Sequence, residues 1–391
     1  MTSSIAKSAV SVEHGGAVCF VFGLFLAGRI CITFLAFQSE PTTGTAVSIA
    51  VSCAFVFLAW AASDGRTIGE SRSVTARWLC AYLVFVALSL CWSETNSPAV
   101  ALMYWVGLAA DCVSVFLLAS GDESSEACRA IMTGFVIGSA IVGLIAWTLP
   151  TLPDLRIGNE DFLHPNALGY LLGIATLFAL NLSRQSGWMT MFAAGCGITL
   201  LRTLSKASIA AFAAAVVLYL LRDSHMTRRA KLWIGIGTTV VIASSWGLLE
   251  AYANTYDQVN HVETLTGRTF IWAVAWEEAL KSPWLGHGFY SFRFVIPAIG
   301  TFEPWQAHNE LLQQFFSYGM IGVTLVVGLY WSFLRELRNA RHREFATLAA
   351  AIMLFAVIRG LVDTERFDIN YPLWLLTLFI LVLQASPQEA R

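Results

Sequence analysis

The chain has 391 residues, of which 57% are hydrophobic and only 13% charged, with a formal net charge of −2. Soluble domains carry about 25% charged residues, so this composition excludes a soluble globular protein, and nothing in the charge balance points to nucleic acid. Apolar windows of helix-spanning length recur from end to end, which predicts an all-α, polytopic integral membrane protein.

The N-terminal stretch "MTSSIAKSAVSVEHGG" lacks a charged-then-apolar pattern with a small-residue cleavage site, and is expected to be a cytoplasmic tail before an uncleaved first helix. About twelve transmembrane helices are expected, at about 17–37, 44–62, 78–93, 99–119, 130–149, 166–182, 188–203, 206–221, 232–252, 308–333, 347–363 and 371–386. With the N-terminus inside, the cytoplasmic connections "DGRTIGESRSVTAR", "RDSHMTRRAK" and "RELRNARHRE" hold eleven Lys or Arg together. On the other side "QSEPTTG" and "SETNSP" hold none, "PTLPDLRIGNEDFLHP" one, and the long 254–306 segment three. This asymmetry puts both termini in the cytoplasm. The eight cysteines fall in predicted spans or cytoplasmic connections, which argues against a disulfide framework. The chain reads as one membrane domain, 1–391, with a large helical external loop at about 254–306 between spans nine and ten.

Two external stretches are long enough to hold chemistry. In the first, Arg156 stands beside Asn159, Glu160 and Asp161, where a surface ion pair would account for it. "HPNALGY" then opens span six, with Pro165 in the first turn and Asn166 placed to satisfy freed backbone donors. In the hairpin "LLRTLSKASIAAF", Arg202 and Lys206 lie at an external turn, either as snorkelling anchors or as part of a basic cluster with Arg156 and Arg268. In the second stretch, "GRTFIWAVAWEEALKSP" places Phe270, Trp272, Ala273, Trp276, Ala279 and Leu280 largely along one helical face. An interfacial helix and a lid packed on the bundle explain these aromatics equally well. Arg268, just ahead of this helix, adds charge to a terminus already suited to an anion. "SPWLGHGFYSF" predicts a tight turn at Gly286 and Gly288, with close backbone approach and with His287 as a solvated turn residue.

"QAHNELLQQFF" opens span ten with His308, Asn309 and Glu310. Unpartnered polar groups in hydrocarbon cost several kcal/mol each, so these residues are boundary anchors or parts of a site. Within spans, Arg29 and Asp111 are candidates for a structural pair. Asp363 and Glu365 either support a site or pair with Arg359 or Arg366.

"HPNALG", a T-x-S-K turn, "GRTFIW…SPWLGHGFYSF" and "AHNELL…YGMIG" occur in that order over roughly residues 150–340. In this the chain resembles the bacterial O-antigen ligase and polymerase superfamily, which includes exopolysaccharide polymerases. The resemblance implies a metal-independent, inverting glycosyltransferase of the bacterial inner membrane, acting at the periplasmic face with 254–306 as its catalytic loop. It implies transfer of a glycan from undecaprenyl diphosphate to a sugar hydroxyl of a lipid A-core or of another lipid-linked repeat. Carried over by position, Arg268 would contact the donor diphosphate and His308 would act at the acceptor, while Arg156, Asn166 and Asn309 are further binding candidates. Where the family commonly has T-x-S-R this chain has Lys206, which keeps the charge and loses the bidentate fork, so either Lys206 or Arg202 would serve the phosphate.

The residue types suit that chemistry. Cationic donors stabilise a departing diphosphate, and a histidine within hydrogen-bonding reach can take the acceptor's proton. Glu310, two residues after His308, is expected to face elsewhere, and Asn309 either orients a sugar or caps the helix. A transporter or flippase would instead predict a midplane site and symmetry between chain halves. The histidines His164, His261, His287 and His308 show no metal-ligand spacing, and no cofactor is implied.

Overall fold

The computed structural model describes residues 2–37, 41–63, 73–121, 123–159, 163–224, 226–233, 235–237, 265–298, 303–340 and 342–384. All regular structure among them is helical. The helices are α1 (Thr2–Phe37), α2 (Pro41–Ala62), α3 (Val74–Ser89), α4 (Pro98–Ala119), α5 (Ser124–Thr148), α6 (Pro165–Leu182), α7 (Met189–Arg202), α8 (Lys206–Arg222), α9 (Leu265–Ala279), α10 (Phe292–Val295), α11 (Glu310–Asn339), α12 (Arg343–Gly360) and α13 (Leu373–Gln384). Six of these are long and apolar enough to cross a membrane, and α3, α7 and α13 are shorter apolar helices. The all-α, multi-pass membrane architecture is therefore as expected, with several boundaries within a few residues of those read from the sequence. α1 begins at Thr2, so the expected tail continues the first helix. Most of the ninth span, and His261 in the loop after it, lie outside the described residues.

Helix packing follows the distribution of small and large side chains. α1 crosses α5 at very close range, because a Cβ on Gly23 would lie 2.0 Å from the Ile131 carbonyl oxygen and one on Gly134 would lie 1.9 Å from that of Phe20. Small residues at such crossings let backbones approach closely where lipid supplies no hydrophobic drive. α13 is the opposite case: Leu373 to Ile380 are all buried. A helix that is apolar on every side belongs at the centre of a bundle, and α13 packs against α3, α4, α5, α11 and α12.

α11 is tied along its length to α3. Ser73, the N-cap of α3, donates from Oγ to Glu336 at 2.7 Å, while Tyr82 donates to Gln314 at 3.0 Å, so the two helices run antiparallel. α11 is also broken at Gly319, whose φ is 62°. The break is bridged by hydrogen bonds to another segment. The carbonyls of Phe316 and Ser317 accept from the N–H groups of His287 (3.0 Å) and Gly288 (2.8 Å). The N–H groups of Met320 and Ile321, which would otherwise serve them, donate to Pro283 (2.8 Å) and Trp284 (3.4 Å). These four backbone groups at the kink all find partners in the "SPWLGHG" turn, as buried peptide groups require. A Cβ on Gly319 would lie 2.3 Å from the Trp284 carbonyl carbon and one on Gly286 2.4 Å from the Ser317 carbonyl carbon, which is the close approach expected at this turn.

His287 is not the solvated turn residue expected from the sequence. It is 4% exposed, its Nδ1 lies 2.7 Å from Glu94 Oε1 and its Nε2 2.9 Å from the Glu278 carbonyl, and its ring stacks on Phe316. It is a clamp between the α3–α4 connection, α9 and α11. The Arg29–Asp111 pair is present as a structural bridge, with Ser52 donating to the second Asp111 oxygen at 2.9 Å. All eight cysteines are free.

Candidate active site

The site is built where α6 and α11 start and α12 ends. At the start of α11, Asn309 is the N-cap: its Oδ1 accepts from the Leu312 N–H at 3.0 Å, and its Nδ2 donates to the Leu361 carbonyl at 2.9 Å. Of the two roles open to it in the sequence, the structure displays the cap. His308, immediately before, has a φ of 51°. A left-handed non-glycine residue is uncommon and costs of order 1–3 kcal/mol, so the surrounding contacts hold it there. Its Nδ1 lies 3.1 Å from Asp363 Oδ1.

Asp363 is the hub of a buried network. Arg359, one turn earlier, donates to its Oδ2 at 3.1 Å, and also donates to Glu365 at 2.8 Å and to Asn370 at 2.9 Å. Burial alone would raise the Asp363 carboxyl. Arg359, the bond to His308 and the charge of Arg268 outweigh it and hold the group well below the usual carboxylate range. Asp363 is thus an ionised acceptor, which places the proton of a neutral His308 on Nδ1 and leaves the Nε2 lone pair free to accept one.

Glu310 faces away from His308, as expected, but joins the same network from the other end. Its carboxylate accepts from Tyr330 (2.8 Å) and from the Asn370 N–H (3.2 Å). Asn370, Tyr330 and Tyr170, whose ring lies 4.4 Å from the Arg359 guanidinium, were missed in the sequence. Tyr170 and Tyr330 are isolated in apolar helices and Asn370 is one of several polar residues in a connection, and only the three-dimensional closure of α6, α11 and α12 connects them.

Arg268 lies in the first turn of α9, rather than ahead of the helix, and its guanidinium donates to the Val362 carbonyl, next to Asp363. The aromatic face read for this helix is divided. Ile271, Ala275 and Ala279 are buried against α11, and Trp272 donates to the Ala307 carbonyl at 2.8 Å, while Phe270, Trp276 and Leu280 are about half exposed on the outer side. The helix is packed on the bundle and also presents an apolar outer face. Arg268 and His308, forty residues apart in sequence, thereby meet at the 361–363 segment.

The second half of the site assembles around Arg156. Its Nε donates to the Thr203 carbonyl at 3.2 Å and its terminal nitrogen to Asn166 Oδ1 at 2.9 Å, with Asp154 at 3.6 Å. The ion pair is with Asp154; Glu160 and Asp161 lie outside the described residues. Arg156 thus links the T-L-S-K turn, where Leu204 has a φ of 48°, to the start of α6. Asn166 does not serve the helix donors as expected. His164 is the N-cap, its Nδ1 accepting from the Asn166 N–H at 3.3 Å. Arg202 lies over the Trp147 ring at 5.6 Å, and Lys206 is exposed at the first position of α8. Burial first, then the positive charge of Arg156, lowers the His164 imidazole to about 4, and the groups that act on it include Asp363, Arg366 and His308. His164 therefore marks the point at which the two halves adjoin. Among the described residues no group of three or more His, Cys, Asp or Glu is gathered for a metal.

Comparison with known proteins follows the same residues. Residues 190–327 match the model of the O-antigen ligase family, so the family read from the order of the motifs is borne out over that stretch. Over 150 residues the chain is 24% identical to a Rickettsia conorii protein named as a candidate polysaccharide ligase, covering 35% of each chain. Over 280 residues it is 24% identical to the exopolysaccharide production protein ExoQ of Rhizobium meliloti, covering 64% of this chain and 62% of that one. The chain thus spans only part of the length of the relatives it matches. Arg202, Lys206, Arg268, His308 and Asn309 lie inside the family segment; Arg156, Asn166 and Asp363 lie outside it.

Proposed function

We propose that this multi-pass membrane protein, with its O-antigen ligase family segment, is a glycosyltransferase of the bacterial inner membrane working at the periplasmic face. In this reading it moves a glycan from undecaprenyl diphosphate to an acceptor sugar hydroxyl, on a lipid A-core or on a second lipid-linked repeat. The observation that carries it is the meeting of His308 and Arg268 at Asp363 and its neighbour Val362.

The division of labour follows from charge. Asp363, ionised and fixed by Arg359, orients His308 so that Nε2 takes the acceptor proton as the hydroxyl attacks the anomeric carbon. The bond from that carbon to the diphosphate oxygen breaks, and the leaving diphosphate carries away the electron pair. Arg268, with Arg156 and the Arg202–Lys206 turn, supplies positive charge where that anion develops. A direct attack of this kind inverts the anomeric configuration, and these side chains provide its proton transfer and charge stabilisation. The outer aromatic stripe of α9 suits the membrane interface beside the lipid carrier.

The test is the product formed by purified protein in nanodiscs supplied with undecaprenyl-diphosphate-linked glycan. A ladder of longer chains on the same lipid identifies a polymerase, and transfer to added lipid A-core identifies a ligase. Movement of intact lipid-linked glycan across the bilayer, with no new glycosidic bond, would replace this reading with a flippase.

A further inference from the structure

Asp363 lies in the connection between α12 and α13, not on a helix. A connection lacks the repeating backbone bonds that fix a helical side chain, so a carboxylate that orients His308 from there needs support of its own. Asn370, fully buried further along the same connection, supplies it. Its Nδ2 donates to the Asp363 carbonyl at 3.1 Å, which folds the connection back on itself, and to Glu310 Oε2 at 3.3 Å. Its Oδ1 accepts at 2.9 Å from Arg359, the guanidinium that also donates to Asp363 Oδ2. One residue therefore grips Asp363 twice, at the backbone directly and at the carboxylate through Arg359. The Asn370 main chain is used as well: its N–H donates to Glu310 Oε1 at 3.2 Å, and its carbonyl accepts from the Tyr170 hydroxyl at 2.7 Å.

The orientation of this amide is dictated by its partners. A guanidinium only donates, whereas a carboxylate and a peptide carbonyl only accept. Turning the amide over would set nitrogen against nitrogen at Arg359, and oxygen against oxygen at Glu310 and at the Asp363 carbonyl. Aspartate has the same shape but loses both donations, and leucine loses all three bonds. Glu310 is held in turn by the Tyr330 hydroxyl, which donates to Oε1 at 2.8 Å. The contact leaves no spare room, since a Cβ on Gly360 would lie 2.8 Å from both Asn370 Nδ2 and Glu310 Oε2.

We propose that Asn370 is a positioning residue for the transfer and that Glu310 is its anchor, the pair fixing Asp363 where its carboxylate orients His308. Neither acts on the substrates directly. The assignment rests on the glycosyltransferase reading for the step it serves, and adds the residues that hold that centre in register.

The test combines turnover of lipid-linked glycan in nanodiscs with a measurement that needs no turnover. Asn370→Asp should lower turnover by about 10–10²-fold, the scale of a misplacement of order 1 Å, with KM changed by less than about twofold. Glu310→Gln should act in the same direction. Combining the two exchanges the amide and the carboxylate, keeps the net charge, and restores a donation between the two side chains in reverse. The combined variant should turn over at least about threefold faster than Asn370→Asp alone, the worth of one modest hydrogen bond. Gly360→Ala removes no hydrogen-bonding group but wedges the same contact, and should also lower turnover while sparing KM. It carries the test if Asn370→Asp cannot be purified in folded form. Nitrogen NMR of labelled histidine, with the His308 signal assigned by its loss in His308→Ala, should show Nδ1 protonated in wild type. The Nε2-protonated tautomer should gain population in Asn370→Asp and in Gly360→Ala. If wild type forms no glycosidic bond and the tautomer still shifts, the glycosyltransferase reading fails and the coupling of Asn370 to His308 stands. Unchanged turnover in these variants would overturn the proposal. So would turnover lost with the tautomer unchanged and no recovery in the combined variant, which would leave Asn370 a tie between helices alone.

Discussion

α6 and α11 both enter the bundle beside the site through a histidine and an asparagine, and the two starts use that pair in opposite ways. At α6 the histidine is the cap: His164 accepts from the helix backbone, and Asn166 is drawn outward to Arg156. At α11 the asparagine is the cap: Asn309 accepts from Leu312, and His308 is turned into left-handed backbone and held by Asp363. Capping needs one acceptor, so whichever residue provides it releases the other for different work. The released residue is an amide serving an arginine at α6 and an imidazole held by a carboxylate at α11. The difference is one of position relative to the first turn, not of residue type.

That contrast can be broken residue by residue. The largest effect is expected at His308. His308→Ala should lower turnover by about 10²–10⁴-fold, the range of a positioned general base, with the protein still folded and membrane-inserted. Asp363→Asn comes next: with the orienting carboxylate neutralised, turnover should fall on the order of 10²-fold or more, and the melting temperature should drop because Arg359 loses one of its buried partners.

At α6 the expected effects lie in stability and its pH dependence. His164 is lowered to about 4 in the fold, whereas the unfolded chain binds its proton near 6.5. Its contribution is therefore fully present above about 6.5 and is lost as the pH falls towards about 4. Thermal melts should show wild type losing stability from neutral to mildly acidic pH, with His164→Gln losing less. Equal acid sensitivity would mean that His164 is as accessible to protons as in the unfolded chain. The smallest effect belongs to Asn309→Ala, which should cost about 1 kcal/mol of stability, as cap removal does, with turnover changed only slightly. A loss of turnover comparable to that of His308→Ala would make Asn309 a substrate ligand rather than a cap.

Much of this was legible in the sequence. Periodicity and length reveal helices wherever apolar residues run unbroken, and the glycines of "SPWLGHG" announced a close backbone approach, which the break at Gly319 completes. His308, Arg268 and Arg156 were visible because charge at a membrane helix end needs a reason. What was hidden depends on closure. Arg359, Asp363 and Glu365 could be seen as a cluster, but not that it faces His308 across 55 residues of chain. Asn370 and Tyr330 carry no local signal at all. His287 misled because glycines on both sides suggest an exposed turn, whereas here they let the backbone press against α11 and bury the ring.

The account rests on Asp363 acting through His308, and a double-mutant cycle on turnover tests that most directly. His308→Ala, Asp363→Asn and the double variant would be compared in nanodiscs with lipid-linked glycan, each first shown to be folded. If the carboxylate serves only to orient the imidazole, removing it after His308 is gone should change turnover by less than about threefold, a strongly non-additive cycle. If the two losses multiply, Asp363 and His308 work independently, and the pairing at the start of α11 is not the catalytic device described here.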